Sequence, residues 1–218
     1  ARPTPFEPLQ AARECIEHAI ERLQSLADRH ATAARCSLIG SACKRLAMLE
    51  QRAGRAAAAS AALDAAARGY GQAEALAAAA GSSDLFYPGL NRMALELVVH
   101  GGRKGWRGLD PARTQAVRQS LAQRTQTDPD VWSSIGQLDV ELYEALAEGR
   151  LAASLASLAA GYANIHARLN ANKAWRTVAD QARIVLGAVL ARTRGKEQAA
   201  AQALLDQLLG YARGPAGR

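Results

Sequence analysis

Aromatic residues are scarce in this 218-residue sequence, at 5%, and alternating runs of Val, Ile and Thr are nearly absent. The second absence removes the period-two pattern of a half-buried strand. The first means that a core has to close through Ala and Leu at short distances. Cysteine is limited to Cys15, Cys36 and Cys43, an odd number without a C-x-x-C pair, which suggests neither a disulfide framework nor a zinc site. A reducing, cytoplasmic setting is expected. No apolar run approaches the 18 or so residues of a membrane span, and Ala1 to Pro8 lack the apolar segment of a signal peptide. An initiator Met is missing too, so the sequence reads as a piece of a longer, regulatory or signalling protein.

Catalytic motifs are also missing. The histidines His18, His30, His100 and His166 fall in no H-E-x-x-H or E-x-x-H spacing, so neither a zinc protease nor a di-iron bundle is indicated. Gly101-Gly102-Arg103-Lys104-Gly105 has neither the spacing nor the preceding strand of a phosphate loop. Cys36 and Cys43 stand seven apart on one helix face, where buried thiols fill gaps. The expectation is no enzyme, no cofactor and no metal.

What is abundant is Ala, with Leu, Arg, Gln and Glu, the composition of helices. Pro8 can open a first helix whose face runs Leu9, Ala12, Ile16, Ala19, Ile20, Leu23 and Leu26, to about Arg29. A second spans about Thr32 to Glu50, and Gly54 is its stop. A third covers about Ala56 to Ala80, where Gly69 and Gly71 flank Tyr70 and weaken it by roughly 1 kcal/mol each unless close packing needs them. After the Gly81-Ser82-Ser83-Asp84 break, Pro88 opens a helix ending at His100. The basic loop 101–108 follows, Asp110-Pro111 reads as an N-cap with Pro in the first turn, and Thr127-Asp128-Pro129-Asp130 repeats that grammar at the start of the helix of Trp132. Helices at about Leu151 to Leu169, Lys173 to Thr193 and Lys196 to Tyr211 complete the chain, with residues 214–218 frayed.

A repeat links these helices. Cys36, Tyr87, Trp132 and Trp175 serve as anchors, followed at i+3 and i+4 by Ile39-Gly40, Leu90-Asn91, Ile135-Gly136 and Val178-Ala179. Partner helices carry Ala66-x3-Tyr70-x2-Ala73 and, more loosely, Leu158-x3-Tyr162-x2-Ile165. This resembles the tetratricopeptide repeat, W-x2-L-G-x2-Y followed by A-x3-F-x2-A, although Asp139 replaces an aromatic after Gly136 and the period exceeds 34 residues. The stretch Phe86 to Asn91, with Trp132 and Tyr162, is similar to bacterial tetratricopeptide-containing proteins akin to the TRAF-binding helical region of MAP kinase kinase kinases. The resemblance implies an all-α fold: antiparallel helical hairpins stacked as a right-handed solenoid with long helices. It implies one domain over 1–218, with a capping helix at 1–31, repeats over 32–193, a capping helix at 194–213 and a tail at 214–218. An ordinary helical bundle is the competing reading.

Functionally, the resemblance implies a protein-protein interaction scaffold. The family layout puts first-helix positions in a groove, here Lys44 and Arg45, then Arg92 and Glu96, then Ser133, Gln137 and Glu141, then Arg176 and Arg183, with Lys173 just ahead of its anchor. The formal charge of +7 and the pI near 9.8 favour an acidic partner, so a carboxylate-bearing peptide or a partner domain is expected, with no membrane contact. The alternative is nucleic acid held by Arg103, Lys104, Trp106 and Arg107, where an aromatic lies among phosphate-binding cations.

Overall fold

The computed structural model describes residues 6–169 and 172–213, which excludes the tail at 214–218. Among the described residues there are nine α-helices and no strand. They are α1 (Phe6–Arg29), α2 (Ala33–Arg52), α3 (Ala56–Ala79), α4 (Phe86–His100), α5 (Pro111–Thr127), α6 (Val131–Ala147), α7 (Leu151–Arg168), α8 (Asn172–Leu190) and α9 (Gly195–Arg213). A 3-10 turn at Ser83–Leu85 leads into α4, so Pro88 falls within the first turn of that helix and does not open it.

Helix ends follow local chemistry. Thr32 Oγ1 accepts from the Arg35 N–H at 3.2 Å. Asp110 accepts from the N–H groups of Ala112 and Arg113 at 2.9 and 3.3 Å, ahead of Pro111 in the first turn of α5. At α6 a capping box forms: Asp130 accepts from the Ser133 N–H at 2.6 Å, and Ser133 Oγ accepts from the Asp130 N–H at 3.2 Å. Each cap contributes about 1 kcal/mol by filling donors that the helix leaves open. Gly54 and Gly149 take φ values of 72° and 66°. These left-handed turns let Arg55 and Arg150 donate back to Glu50 and Ala145, both at 2.9 Å, closing the helices as Schellman motifs do.

The chain divides into two compact units, one ending at Arg92 and one beginning at Met93, with the divide inside α4. In the first unit, α2 and α3 form the tightest hairpin. Cys36, Ile39, Gly40, Cys43 and Ala47 are buried against Ala62, Ala66, Gly69, Tyr70 and Ala73. A Cβ at Gly69 would stand 2.9 Å from the Gly40 nitrogen, and one at Gly40 would stand 2.8 Å from the Tyr70 ring. The absent side chains are therefore what lets the two backbones meet. Helix α1 lies antiparallel on α2, where Arg13 bonds Glu50 at 3.1 Å, and offers a half-buried stripe of Leu9, Ala12, Ile16, Ile20 and Leu23.

The second unit contains the α6–α7 and α8–α9 hairpins. Helices α7 and α9 run in the same direction: Glu197 accepts from the Ala152 N–H at 3.2 Å, and Gln207 Nε2 donates to the Ala159 carbonyl at 2.8 Å. Tyr143, Tyr162, Trp175, Leu186, Leu204 and Leu208 are fully buried. The place of Asp139 is now explained. It accepts a 2.7 Å bond from the Tyr162 hydroxyl, so the residue that breaks the repeat pattern supplies the acceptor that a buried phenol needs.

The anchors need correction. The i+3 and i+4 positions are buried in all four first helices, from Ile39-Gly40 to Val178-Ala179. Cys36 and Trp175 are buried as well, at 0% and 1% exposure, but Tyr87 and Trp132 are exposed at 45% and 41%. Cys36 and Trp175 are each the fourth residue of their helix, whereas Tyr87 and Trp132 are each the second. Two residues from an end, a side chain leaning toward the N-terminus lies beyond the packed turns. Phe86 and Ser133 are buried beside them instead.

Candidate functional site

The first unit gathers a cationic and aromatic face from α2, α3 and α4. Its floor is Tyr70 of α3, at 0% exposure. Burial pushes its phenol far above the ordinary range, and Tyr87 adds to this, while Ser41 and Arg45 act weakly the other way. It is a neutral ring at any ordinary pH. Tyr87 of α4 meets it edge-on, with centroids 6.3 Å apart at 71°. Lys44 of α2 has its Nζ 5.6 Å from the Tyr70 centroid, within reach of a cation–π attraction.

Hydrogen bonds fix these groups. Lys44 Nζ donates to Asn91 Oδ1 at 2.6 Å, and Asn91 Nδ2 donates to the Tyr87 carbonyl at 2.9 Å. Asn91 occupies the position where other first helices have Gly or Ala, and a cross-helix tether to Lys44 is what it supplies. Arg92 Nη1 donates to Glu74 at 2.5 Å and packs over Gly71, where a Cβ would lie 3.6 Å from its guanidinium. Arg45, Tyr87 and Leu38 remain exposed, Leu38 at 54%. The face thus offers an aromatic edge and cations, and Leu38 lies with Arg45, seven residues on, along one exposed side of α2, where a guanidinium is able to take a carboxylate through two parallel bonds.

Of the predicted groove residues, Lys44, Arg45 and Arg92 therefore belong to one unit, with Arg92 engaged by Glu74. Glu96 accepts from Arg113 at 3.1 Å. Ser133 does not line a groove: at 0% exposure it closes the capping box of α6, because its place at N3 turns its hydroxyl onto Asp130. In the second unit Gln137 is exposed and donates to Thr125 Oγ1 at 3.2 Å. Glu141, Lys173 and Arg176 are exposed, and Arg183 pairs with Asp180 at 2.5 Å. On the basic loop Arg103, Lys104 and Arg107 are exposed while Trp106 is half-buried.

Sequence reasoning missed Leu38, which lies on the side of α2 away from the buried stripe, and the tethering role of Asn91. It also missed a cleft of about 310 Å³ among α1, α2 and α3, lined by Asp28, Cys43, Arg68 and Gln72. Its polar residues come from separate helices, so no local pattern signals it. Burial raises the Cys43 thiol, with Arg68 acting against it, which keeps the group protonated and suits a filler. Among the described residues no group of three His, Cys, Asp or Glu could hold a metal ion, and no helix is long and apolar enough to cross a membrane.

Residues 7–96 match the family described as Tetratricopeptide Repeats-Sensor. The match covers less than half of the chain and falls almost entirely on the first unit. It supports the tetratricopeptide-like reading of the α2–α3 hairpin, a repeat class that mediates protein-protein interaction. Comparison with curated proteins and with solved structures returns no match.

Proposed function

We propose that the first unit is a docking module whose α2–α4 face takes a peptide or partner segment bearing carboxylates and an apolar side chain. The observation that carries this is the exposure of Tyr87 on α4 and of Leu38 and Arg45, seven residues apart on one side of α2. Large apolar residues at the surface beside cations favour a partner that buries one and pairs the other. The description of the matching family as a sensor supports a regulatory role, in which occupancy of this face is reported to other parts of a larger protein. The exposed cations Lys173 and Arg176 and the polar Gln137 and Glu141 are proposed as secondary contacts on the second unit. Nucleic-acid binding is the weaker reading, since it rests on one basic loop with a single aromatic residue.

The test is a selection from a random peptide display library on the intact protein. The expected result is enrichment of peptides combining Asp or Glu with a large apolar residue, lost on the double change Arg45→Glu with Tyr87→Ser and kept on Arg103→Glu with Lys104→Glu. Enrichment without acidic residues, or binding insensitive to the first pair, would remove the assignment.

A further inference from the structure

The second unit holds a larger cavity that the docking face does not use. It is a cleft of about 600 Å³ between residues 106–109 at the end of the basic loop, α5 and the C-terminal end of α6, within the roughly 300–1,000 Å³ range of small-molecule sites. One wall is apolar and partly flat, formed by Trp106, Leu109, Pro111 and Ala147.

The polar groups around it are unequal in what they leave open. Both carboxylates at the rim are engaged: Glu144 by Arg118 at 2.5 Å, and Glu148 by Arg150. The indole N–H of Trp106 is buried and has no hydrogen-bond partner among the described residues. Without accessible area it cannot be reached from the cleft, so it is a cost within the loop and not a contact for a ligand. Arg107 stands exposed at the rim, on a loop that also carries Arg103 and Lys104. The two carboxylates are engaged while the Arg107 guanidinium stands exposed, so the complementary ligand carries a negative charge.

We propose that this cleft binds a small planar carboxylate, its ring against Trp106 and Leu109 and its oxygens toward the Arg107 guanidinium at the rim. The preference for an anion follows from the engaged carboxylates, and the preference for a ring from the flat apolar wall. A cationic ligand would meet Arg107 and Arg118 with no uncommitted acid to offset them.

The sequence has three tryptophans, so the indole region of a nitrogen–proton correlation spectrum is simple, and Trp106→Phe assigns the Trp106 cross-peak. The full chain is titrated with 2-naphthoate, the neutral 2-naphthylmethanol, the cationic 2-naphthylmethylamine and an oligothymidine. A saturable shift of the Trp106 cross-peak with 2-naphthoate is expected, with the neutral probe and the Arg107→Ala variant each about tenfold or more weaker. Arg107 is exposed, so its removal leaves the fold intact. No shift with 2-naphthoate, an equal response to the neutral or cationic probe, or a response to the oligonucleotide alone would overturn the proposal.

Discussion

Two glycines on either side of Tyr70 have opposite local roles. A methyl group at Gly69 would run into the Gly40 backbone, whereas one at Gly71 would rest at ordinary contact distance from Arg92. Replacing helical Gly by Ala ordinarily stabilises by up to about 1 kcal/mol. Gly71→Ala should show that gain in chemical unfolding, while Gly69→Ala should destabilise by about 1–3 kcal/mol through overpacking; equal effects of the two would contradict the crossing described. The sequence shows both as weak points of a helix and does not tell which one packing requires, because that depends on the register of α2. The Tyr162 and Asp139 pair makes a second residue-scale prediction. Tyr162→Phe should cost about 1 kcal/mol, and the double change with Asp139→Asn should cost less than the sum of the two single changes. Strict additivity in a double-mutant cycle would mean that the bond contributes nothing.

Among the elements, α4 is closed in an unusual way. Arg192, just past the end of α8, donates to the carbonyl of Leu97 at 3.0 Å and also to those of Val98 and Gly101. A guanidinium there fills acceptors that the helix end leaves open and meets the negative end of its dipole. Burial lowers the pKa of Arg192, and Arg103 adds to this, yet arginine stays charged. Arg192→Met should destabilise by about 1–3 kcal/mol and raise amide exchange near residues 98–103 more than in α6; uniform exchange would contradict the clamp. Nothing in the local pattern of α4 or α8 announces this contact across more than 90 residues.

At the α1–α2–α3 junction, Glu50 is buried with Arg55 and Arg13 upon it, and its carboxyl lies below the ordinary value, chiefly through the Arg55 bond. A depressed carboxyl pKa contributes stability that is present above about pH 4.3, the unfolded value, and is lost as pH falls through the lower folded value. Glu50→Gln should lower the Tm at pH 7 and flatten its decline below pH 4. A variant that keeps the wild-type acid profile would show that another carboxylate controls it.

For the whole chain, the helices were legible because their starts and stops are written in single residues, such as Asp110 with Pro111 and Gly54; in Thr127-Asp128-Pro129-Asp130 the cap is Asp130, after the proline, and not the Asp-Pro pair. The first repeat was legible for a different reason: Ile39-Gly40 and the Ala66, Tyr70, Ala73 triplet are spaced for one face and meet there. Tyr87 and Trp132 misled, since their size suggests wedges while their place at a helix start exposes them. The candidate site was readable only in part. Lys44 and Arg45 could be named from the resemblance, but Ser133 was misassigned because side-chain direction at a cap is set by the hydrogen bond it makes. The same exposure that removes Tyr87 from the core makes it available to a partner, and on this the proposed role turns. The most direct measurement is a charge swap with a peptide selected on the intact protein. Arg45→Glu should weaken binding by about tenfold or more, and exchanging the peptide's acidic residue for Lys should restore it on the variant alone, as a direct ion pair requires. A peptide that binds wild type and Arg45→Glu equally well, or a swap that restores nothing, would contradict the docking face.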